Sequence, residues 1–337
     1  MAQYKDFIPQ NVAPRDARRI GIYNAEGVRV GQIPLGPLTF PDAGGKLYSF
    51  GALSDVHITQ DTATEDFQRA LTYLDGNADV LFTCICGDLT DDGSAAQLAQ
   101  YKAVVDAYSP NTPVYAISGN HEGSNGVVTT ETIQPYTGQP LYYSFEQGND
   151  LFIMLGTHAW WNQKLFSEDE LQWLYETLEA NRNRRCFVFY HVFPWGDCGN
   201  AGGAYTSDIF TGTQGSVFQS LMAHYKNVTL FHGHSHLKFS LQSIDDKANF
   251  SNAAGYRSVH ISSLSVPRDA NYPSAGYTNI FADSEGYVVD VYKNGIHLRG
   301  RDFVKGEYLP IASYWLDTTL QTVAEGTYTD STGTIKP

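Results

Sequence analysis

The chain has 337 residues, a hydrophobic fraction of 42% and a formal net charge of −14, so it is long enough for one large domain or two modest ones with a packed core. Its 36 acidic and 22 basic residues, with no dense cluster of Lys and Arg, disfavour long nucleic acids as partners. No apolar run reaches transmembrane length and the first twelve residues lack a signal-peptide pattern, so we expect no membrane partner and a cytoplasmic location.

The two ends of the chain differ in composition from its middle. Residues 1–45 are predicted to be an N-terminal appendage with a hairpin at 19–34, because turn residues separate two short apolar runs there. Residues 46–316 are predicted to form the main domain. Residues 317–337 are rich in Thr, Gly and Ser and are expected to be an extended or mobile tail without core-forming residues.

Strands and helices alternate in the first part of the main domain. Strands are predicted at 47–53, 80–86, 113–117, 141–145, 151–155, 186–190 and 228–231. Three capping-box patterns, in which Ser or Thr precedes Glu or Gln by three residues, predict helix starts at Thr62–Glu65, Ser94–Gln97 and Ser167–Glu170.

The period changes after residue 236, where the segments become short and strand-like. These segments lie near 237–244, 256–261, 279–282, 287–292 and 295–299. An α/β half followed by a mostly β half predicts an α/β fold in which two mixed sheets pack face to face with helices outside, a four-layer α/β/β/α sandwich. The four cysteines, Cys84, Cys86, Cys186 and Cys198, are expected to be reduced thiols.

Polar side chains follow five of the predicted strands directly. They are Asp55 and His57 in D-V-H, Asp88 in G-D-L-T-D, Asn120 and His121 in G-N-H-E, His191 in F-V-F-Y-H, and His234 and His236 in G-H-S-H. Because ligands bind at the carboxyl ends of strands in open α/β sheets, these side chains are expected to converge. Imidazole and carboxylate suit divalent transition metals, and the glycines at 87, 119 and 233 are expected to let the backbone turn sharply beside the ions.

The ordered set D-x-H, G-D-x-x-D, G-N-H-E, His and G-H-x-H resembles the calcineurin-like metallophosphoesterase superfamily. The motifs span residues 55–236, and the scaffold implied by the resemblance covers roughly 46–300. The resemblance implies two divalent or trivalent transition-metal ions, Mn, Fe or Zn. It assigns Asp55, His57 and His236 to the first ion, Asn120, His191 and His234 to the second, and Asp88 to a bridge between them.

The resemblance also implies catalytic roles for His121, Asp88 and Asn120, with His121 facing the substrate. Where the family often has Asp after this histidine, the chain has Glu122, which is expected to orient the imidazole in a changed geometry. The absence of Tyr at positions 90 and 91 argues against the purple acid phosphatase subgroup, which needs a tyrosinate ligand near this point.

The implied charge balance predicts the chemistry. Two divalent ions, offset by Asp55, Asp88 and a bridging hydroxide, leave about one positive charge, which suits a phosphate oxyanion. We therefore predict a binuclear metallophosphoesterase, a phosphodiesterase acting on a small-molecule phosphoester by in-line attack of the bridging hydroxide on phosphorus. His121 would stabilise the transition state or protonate the leaving alkoxide.

Two alternatives stay open at this point. One is a phosphomonoesterase, including a protein phosphatase, and the other is a binding component that keeps a vestigial site. Residues 1–45 weakly resemble N-terminal segments of phage- or prophage-encoded members of the superfamily. A homo-oligomer or larger assembly formed through residues 1–45, and a place in a phage particle, are therefore kept as alternatives.

Other chemistry-bearing residues lack a motif. His158, His224, His232, His260 and His297 are interpreted as core or surface residues. Asp91 is expected either to orient a metal ligand or to cap the next helix. Substrate specificity is expected to reside in loops 123–140 and 194–213.

Overall fold

The computed structural model describes residues 19–23, 29–34, 45–160, 166–194, 197–199, 212–239, 249–252, 255–270 and 277–336, with the backbone alone for 19–34 and 270. The strands are β1 (Arg19–Tyr23), β2 (Arg29–Pro34), β3 (Lys46–Leu53), β4 (Val80–Cys86), β5 (Val114–Ile117), β6 (Tyr143–Gln147), β7 (Asp150–Leu155), β8 (Cys186–Tyr190), β9 (Val228–His232), β10 (Phe250–Ser251), β11 (Arg257–His260), β12 (Arg268–Ala270), β13 (Tyr277–Asn279), β14 (Glu285–Tyr292), β15 (Gly295–Asp302) and β16 (Glu307–Asp317). The helices are α1 (Ala63–Asp75), α2 (Ala95–Tyr108), α3 (Thr130–Thr137), α4 (Glu168–Ala180) and α5 (Gly212–His224), with a 3₁₀ turn at His121–Asn125.

Two mixed sheets form the centre of the fold. In the described part of the chain the first has the order β2-β1-β16-β15-β14-β3-β4-β5, and the second β10-β11-β9-β8-β7-β6. Within the first, β3, β4 and β5 are parallel. Within the second, β7, β8, β9 and β11 are parallel. Parallel strands bring their carboxyl ends to one edge of each sheet.

A hydrophobic cluster fills the space between the two sheets. Alternate residues of β4 (Phe82, Cys84 and Cys86) belong to it, as do Phe152 and Met154 of β7. The intervening residues of β7, and Ile85 of β4, face outward onto helices, while Leu81 near the start of β4 is exposed. Both faces of these strands are therefore buried, which explains their nearly continuous apolar sequences. All four cysteines are free and buried, which confirms the expectation of reduced thiols.

Two further clusters cover the outer faces of the sheets. One joins the first sheet to α1, α2 and α3, and the other joins the second sheet to α4 and α5. The order helix, sheet, sheet, helix confirms the four-layer sandwich predicted from the sequence. No helix in the described part of the chain combines the length and the apolar character needed to cross a membrane.

The predicted α/β half agrees closely with the structure, because every strand up to β9 begins and ends within two residues of its expected position. The hairpin expected at 19–34 is confirmed as β1 and β2, which pair antiparallel, and β1 also pairs with β16. The division of the chain at residues 45 and 316, and assembly through residues 1–45, stay predictions.

The β half holds several corrections. The strand expected at 237–244 is wrong at its start, since Leu237 makes only an isolated bridge to Arg268, and 240–248 lie outside the described residues. The strand expected at 279–282 has the wrong bounds: the structure has β13 at Tyr277–Asn279, and the chain turns at 281–282. Strand β16 was not predicted from the sequence; its Pro310 lies where the register with β15 shifts, a bulge position that tolerates proline.

The C-terminal tail does contribute to the core, which corrects the expectation that it lacks core-forming residues. Val323, Tyr328 and Ile335 are buried in the cluster that joins the second sheet to α4 and α5. The backbone of Gln321 is also held by the buried Asn227 side chain, which donates to its carbonyl at 2.8 Å and accepts from its N–H at 2.7 Å.

The three predicted capping boxes are incomplete, because one side chain of each box bonds to a group other than its capping partner. Ser94 and Ser167 cap α2 and α4 by accepting from the N–H of Gln97 and Glu170. The Gln97 side chain, however, accepts from the backbone N–H groups of Asp91 and Asp92, and the Glu170 carboxylate binds His158. Thr62 makes no side-chain cap at all, because its hydroxyl donates to Asp66.

A buried ion pair joins the two sheets at the edge opposite the polar loops. Arg185 binds both carboxylate oxygens of Asp150 at 2.9 and 2.6 Å, and each residue is 4% exposed. Tyr48 of β3 donates to the same carboxylate at 2.6 Å, and Arg185 also donates to the carbonyl of Tyr292 and the hydroxyl of Thr318. Hydrogen bonds from this pair therefore reach β3 and β14 of the first sheet and the tail.

We predict that Asp150→Ala lowers the free energy of unfolding by about 3–5 kcal/mol, because it leaves Arg185 buried without a counter-charge. Urea denaturation at one fixed metal concentration measures the change. The matched control is Glu325→Ala, which removes the carboxylate partner of Arg182 from an exposed pair and should cost about 1 kcal/mol or less. Equal losses in the two variants would contradict the prediction.

Candidate metal centre

The five polar loops meet at one edge of the two sheets. Asp55 and His57 follow β3, Asp88 follows β4, and Asn120 and His121 follow β5, while His191 follows β8 and His234 and His236 follow β9. The carboxylates, the amide and the four presumed imidazole ligands are at most 5% exposed. Ligand atoms of Asp55, His57, Asp88, His191, His234 and His236 lie in closely spaced groups, and Asn120 and His121 lie on the loop after β5 at the same edge.

Several of these side chains lie on backbone in the left-handed region. The φ angles are 54° at Asp55, 45° at His57, 49° at Asp88, 72° at His234 and 58° at His236. Such values are uncommon for residues other than glycine and cluster at functional sites. Bonds between loops support this backbone: the N–H groups of Asp55 and His57 donate to the carbonyls of Gly87 and Asp88 at 3.1 and 2.9 Å.

The first group of candidate ligands comprises Asp55, His57, Asp88 and His236, each of which offers a ligand atom within 4.8 Å of the others. The Nε2 atom of His236 lies 3.0 Å from Asp55 Oδ1 and 3.0 Å from the Nε2 atom of His57. Three of these residues are those that the family resemblance assigned to the first ion.

The second group comprises Asp88, His191 and His234, all buried. The Oδ2 atom of Asp88 lies 3.0 Å from His191 Nε2 and 3.5 Å from His57 Nε2. Its Oδ1 atom accepts from the backbone N–H of His121 at 2.9 Å. Asp88 therefore lies between the two groups and presents Oδ2 to both.

Backbone carbonyls determine which ring nitrogen of two histidines faces the site. The Nδ1 atom of His191 lies 2.6 Å from the carbonyl of Cys86, and Nδ1 of His236 lies 3.1 Å from the carbonyl of Val266. When Nδ1–H donates to a carbonyl, Nε2 carries the lone pair. Both rings consequently direct a ligand atom toward Asp55 and Asp88.

These residues fit a transition-metal ion. Both side-chain atoms of Asn120 are buried and lack a hydrogen-bond partner in the described part of the chain. Buried polar atoms normally have partners, so atoms left over at a convergence of imidazole and carboxylate indicate a cation that completes them.

The electrostatics of the site favour a cation as well. Burial disfavours ionisation of Asp55 and Asp88, but neighbouring histidines outweigh this effect and lower both carboxyl pKa values. His236 and His191 lower the pKa of Asp55, and His191 and His121 lower that of Asp88. Burial lowers the pKa of His234 to about 3 and that of His236 to about 4. Burial acts in the same direction on His191, but Asp88 and Asp55 raise its pKa to about 9. The two carboxylates thus attract positive charge into a buried site.

The glycines of the motifs act mainly by allowing close approach. Of the three, Gly87 has a left-handed φ of 85°. A Cβ on Gly119 would lie 2.2 Å from Asp88 Oδ1, and one on Gly233 would lie 1.8 Å from Ser54 Oγ. The expectation that all three provide sharp turns is therefore corrected: Gly119 and Gly233 leave room for the buried groups beside them.

Glu122 does not orient His121, contrary to the expectation from the sequence. Its Oε1 atom accepts from the N–H and hydroxyl of Thr90, and its Oε2 atom accepts from the N–H of Gly119 at 2.7 Å. The longer side chain reaches past the imidazole and joins the loops that follow β4 and β5.

Asp91 takes the orienting position instead. Its carbonyl lies 2.6 Å from Nδ1 of His121, and its Oδ1 atom lies 3.8 Å from Nδ1 of both His57 and His121. Gln60 donates to the same Oδ1 atom. Since Ser94 caps α2, the Asp91 side chain serves the histidines rather than the helix.

His121 has an aromatic neighbour that was not predicted from the sequence. The ring of Trp160 lies 4.8 Å from that imidazole at an interplanar angle of 78°. The preceding turn is held by a hydrogen bond between His158 and the buried Glu170 at 2.6 Å. No sequence motif surrounds Trp160. The one signal that could have placed it near the site is its position after β7, at the same sheet edge as the other loops.

The fold and the two ligand groups define a class, the metal-dependent phosphoester hydrolases. A sequence profile of calcineurin-like phosphoesterases matches residues 48–238, which is more than half of the chain. The chain belongs to the calcineurin-like phosphoesterase family. Its residues form the candidate site of a binuclear divalent-metal centre.

Solved structures with a similar fold include a purple acid phosphatase from seeds of yellow lupin (Lupinus luteus), at a TM-score of 0.55 and 14% identity. The match covers 89% of this chain and 59% of that one, so the chain spans about three fifths of the length of this neighbour. At such identity the likeness shows the fold alone, and the predicted lack of a tyrosinate ligand stays a prediction.

A weaker match is a predicted phosphoesterase from Streptococcus pneumoniae TIGR4, at a TM-score of 0.38 and 11% identity, covering 80% of this chain and 97% of that one. Another is the NAD nucleotidase of Haemophilus influenzae, at a TM-score of 0.37 and 12% identity, covering 77% of this chain and 53% of that one. Their TM-scores are too low to support an argument. A comparison with curated proteins finds no match.

We predict that Gly119→Ala weakens metal binding about tenfold or more, because the added methyl group displaces the Asp88 carboxylate. Metal analysis after dialysis against graded chelator concentrations measures the change, and circular dichroism checks the fold. Gly45→Ala is the matched control, since nothing lies within 4 Å of a Cβ there. Wild-type metal retention by Gly119→Ala would contradict this close approach.

A buried acid behind the last metal-ligand loop produces a pH-dependent stability. Glu285 is 4% exposed and accepts from the N–H of Phe239 at 2.7 Å. Burial, opposed by this hydrogen bond, raises the pKa of Glu285 from 4.5 to about 7. Between these values the unfolded chain releases the proton and the folded chain retains it, so folding stability falls as pH rises.

We predict that Glu285→Gln removes this pH dependence. Relative to the variant, the wild type should lose about 3 kcal/mol of unfolding free energy between pH 4.5 and 7 and no more above that. Urea denaturation at several pH values measures the difference, with the exposed Glu65→Gln as control. Parallel curves for wild type and Glu285→Gln would disprove the raised pKa.

Proposed function

We propose that the chain is a metal-dependent phosphodiesterase. Asp55, His57 and His236 would hold one metal ion, Asn120, His191 and His234 a second, and Asp88 both. The observation that carries the proposal is the position of Asp88 Oδ2, which faces both ligand groups at 3.0 and 3.5 Å. When bound, two such ions supply Lewis acidity for activating water and a phosphoryl oxygen.

The charge of the site supports a diester as the substrate. In the described part of the chain, no Lys or Arg forms an ion pair with Asp55, Asp88, Asp91 or Glu122, and the groups within ion-pair distance of the three aspartates are histidines. Dianionic phosphoryl groups are commonly held by Arg or Lys clamps beside the metal. Among the described residues, carboxylates whose ion-pair partners are histidines suit a diester, which carries one negative charge, better than a monoester, which carries two.

His121 is the proposed proton donor for the leaving group. Its side chain is 21% exposed, more than any of the proposed ligands, and its Nε2 atom lies 4.0 Å from Asp88 Oδ2. The Asp91 carbonyl holds Nδ1, so Nε2 faces the space where a phosphoryl group would lie between the loops. An imidazole held in this way can transfer a proton without reorienting.

The proposal predicts about two bound metal ions per chain and metal-dependent hydrolysis of bis-p-nitrophenyl phosphate in preference to p-nitrophenyl phosphate. Metal analysis of the purified protein and assays with and without Mn²⁺ test it. Preference for the monoester would favour a phosphomonoesterase. Bound metal without turnover of either compound would favour a binding component, and protein that stays metal-free and inactive in Mn²⁺ would refute the centre.

Two substitutions separate metal binding from proton transfer. Asp88→Asn should abolish turnover and reduce metal content, since it removes the shared carboxylate. His121→Ala should retain both metals and lower turnover about 10²-fold or more for substrates with poor leaving groups. Asp106→Asn and His224→Ala, distant from the site, serve as controls. Full activity in Asp88→Asn, or metal loss in His121→Ala, would contradict the assignment.

A further inference from the structure

A small polar cavity opens at the edge of the second sheet opposite the metal ligands. Its volume is about 190 Å³, and its walls come from the segment after α5, the starts of β9 and β11, and the tail. The lining includes Lys226, Asn252, Arg257 and Gln321, and none of its lining residues is acidic. Because β9 has five residues and the ligand His234 lies just beyond its end, the cavity and the metal groups are roughly 16 Å apart.

Arg257 is the buried cation of this cavity. Its side chain is 7% exposed, its Nε atom donates to Thr229 Oγ1 at 3.2 Å, and its Nη2 atom donates to the carbonyl of Lys226 at 2.9 Å. Both acceptors are neutral. Among the described residues no carboxylate lies within ion-pair distance of the guanidinium, and its remaining Nη1 atom makes no hydrogen bond.

A buried guanidinium with only neutral partners is unusual, because burying a charge is costly unless a counter-charge is present. Burial lowers the pKa of Arg257 to about 10, so it still carries its charge at neutral pH. Asp317 acts on it only from beyond ion-pair distance, and the other nearby charge, Arg185, is positive and already bound to Asp150. An anion in the cavity would supply the missing counter-charge.

The rest of the wall suits an oxyanion. Lys226 adds a second positive charge at the rim, and its Nζ atom lies 2.5 Å from the carbonyl of Ala223, where it offsets the negative end of α5. Asn252 and Gln321 add amide groups. The wall formed by Gln321 is fixed, since its backbone makes two hydrogen bonds with Asn227.

We propose that this cavity binds a small tetrahedral oxyanion of the phosphate or sulfate type, with Arg257 as its main ligand and Lys226 as a second one. The site is separate from the proposed metal centre and independent of the proposed activity. Arg257 accounts for specificity toward oxyanions, since the planar guanidinium can donate in parallel to two oxygens.

Isothermal titration calorimetry with sulfate, on the full chain at constant ionic strength in chloride, tests the proposal. A chelator-treated sample is titrated alongside the metal-loaded one, so that binding that survives chelation is assigned to the cavity. We expect one saturable site per chain in both samples. Affinity should fall at least tenfold in Arg257→Gln and several-fold in Lys226→Gln, and stay unchanged in Lys102→Gln, a surface lysine of α2. Titration with inorganic phosphate then ranks the two anions.

Thermal unfolding supplies a second readout. Without sulfate, Arg257→Gln should unfold at the wild-type temperature or above, because it removes a buried charge that has no partner. Sulfate should raise the unfolding temperature of the wild type and leave that of Arg257→Gln unchanged. The proposal is overturned if the chelated wild type shows no saturable binding, or if Arg257→Gln binds as the wild type does. Should Arg257→Gln not fold, unchanged affinity in Lys226→Gln overturns it.

Discussion

The site depends on a backbone constraint: five of the seven proposed metal ligands lie at positive φ. Each such residue costs roughly 1–2 kcal/mol relative to ordinary backbone. The cost is sustained because strands that are buried on both faces hold the start of every loop, while hydrogen bonds from Asp55 and His57 to the loop after β4 hold the turns. The parallel sheets thus act as a rigid frame for short, strained loops that carry five of the seven proposed ligands.

The same constraint explains why carboxylates and imidazoles can be buried together. Asp55 accepts from the backbone N–H of His234, and Asp88 accepts from that of His121, so each carboxylate is held by the loop carrying another proposed site residue. The carbonyls of Cys86 and Val266 hold the far sides of His191 and His236. Groups positioned in this way need no rearrangement to receive a cation, which is the physical basis for treating the cluster as a preorganised centre.

Much of the α/β half and of the candidate metal centre was predictable from the sequence, because the buried strands are continuous apolar runs and the polar site residues come directly after them. The parts that failed depend on contacts between distant segments. Gln97 and Glu170 match capping boxes locally, yet the loops near the site recruit their side chains. Glu122 stands where an orienting acid was expected, but its extra methylene takes it to Thr90 and Gly119. The strand β16 contains Pro310, which argues against a strand in the sequence, but a bulge in the pairing with β15 accommodates it.

Buried charges of opposite sign lie at the two ends of the strands of the second sheet. Near the carboxyl ends of its strands, Asp55 and Asp88, from the loops after β3 and β4 of the first sheet, form a negative centre that histidines only partly offset. At the amino ends lie two buried arginines, one directly before β8 and one at the start of β11, with β9 between these strands. Arg185 is completed by the bidentate Asp150, whereas Arg257, equally buried and one strand beyond β9, has only neutral partners. Arg257 thus lacks the paired carboxylate that Arg185 has, and the adjoining cavity is where the proposed anion would supply one.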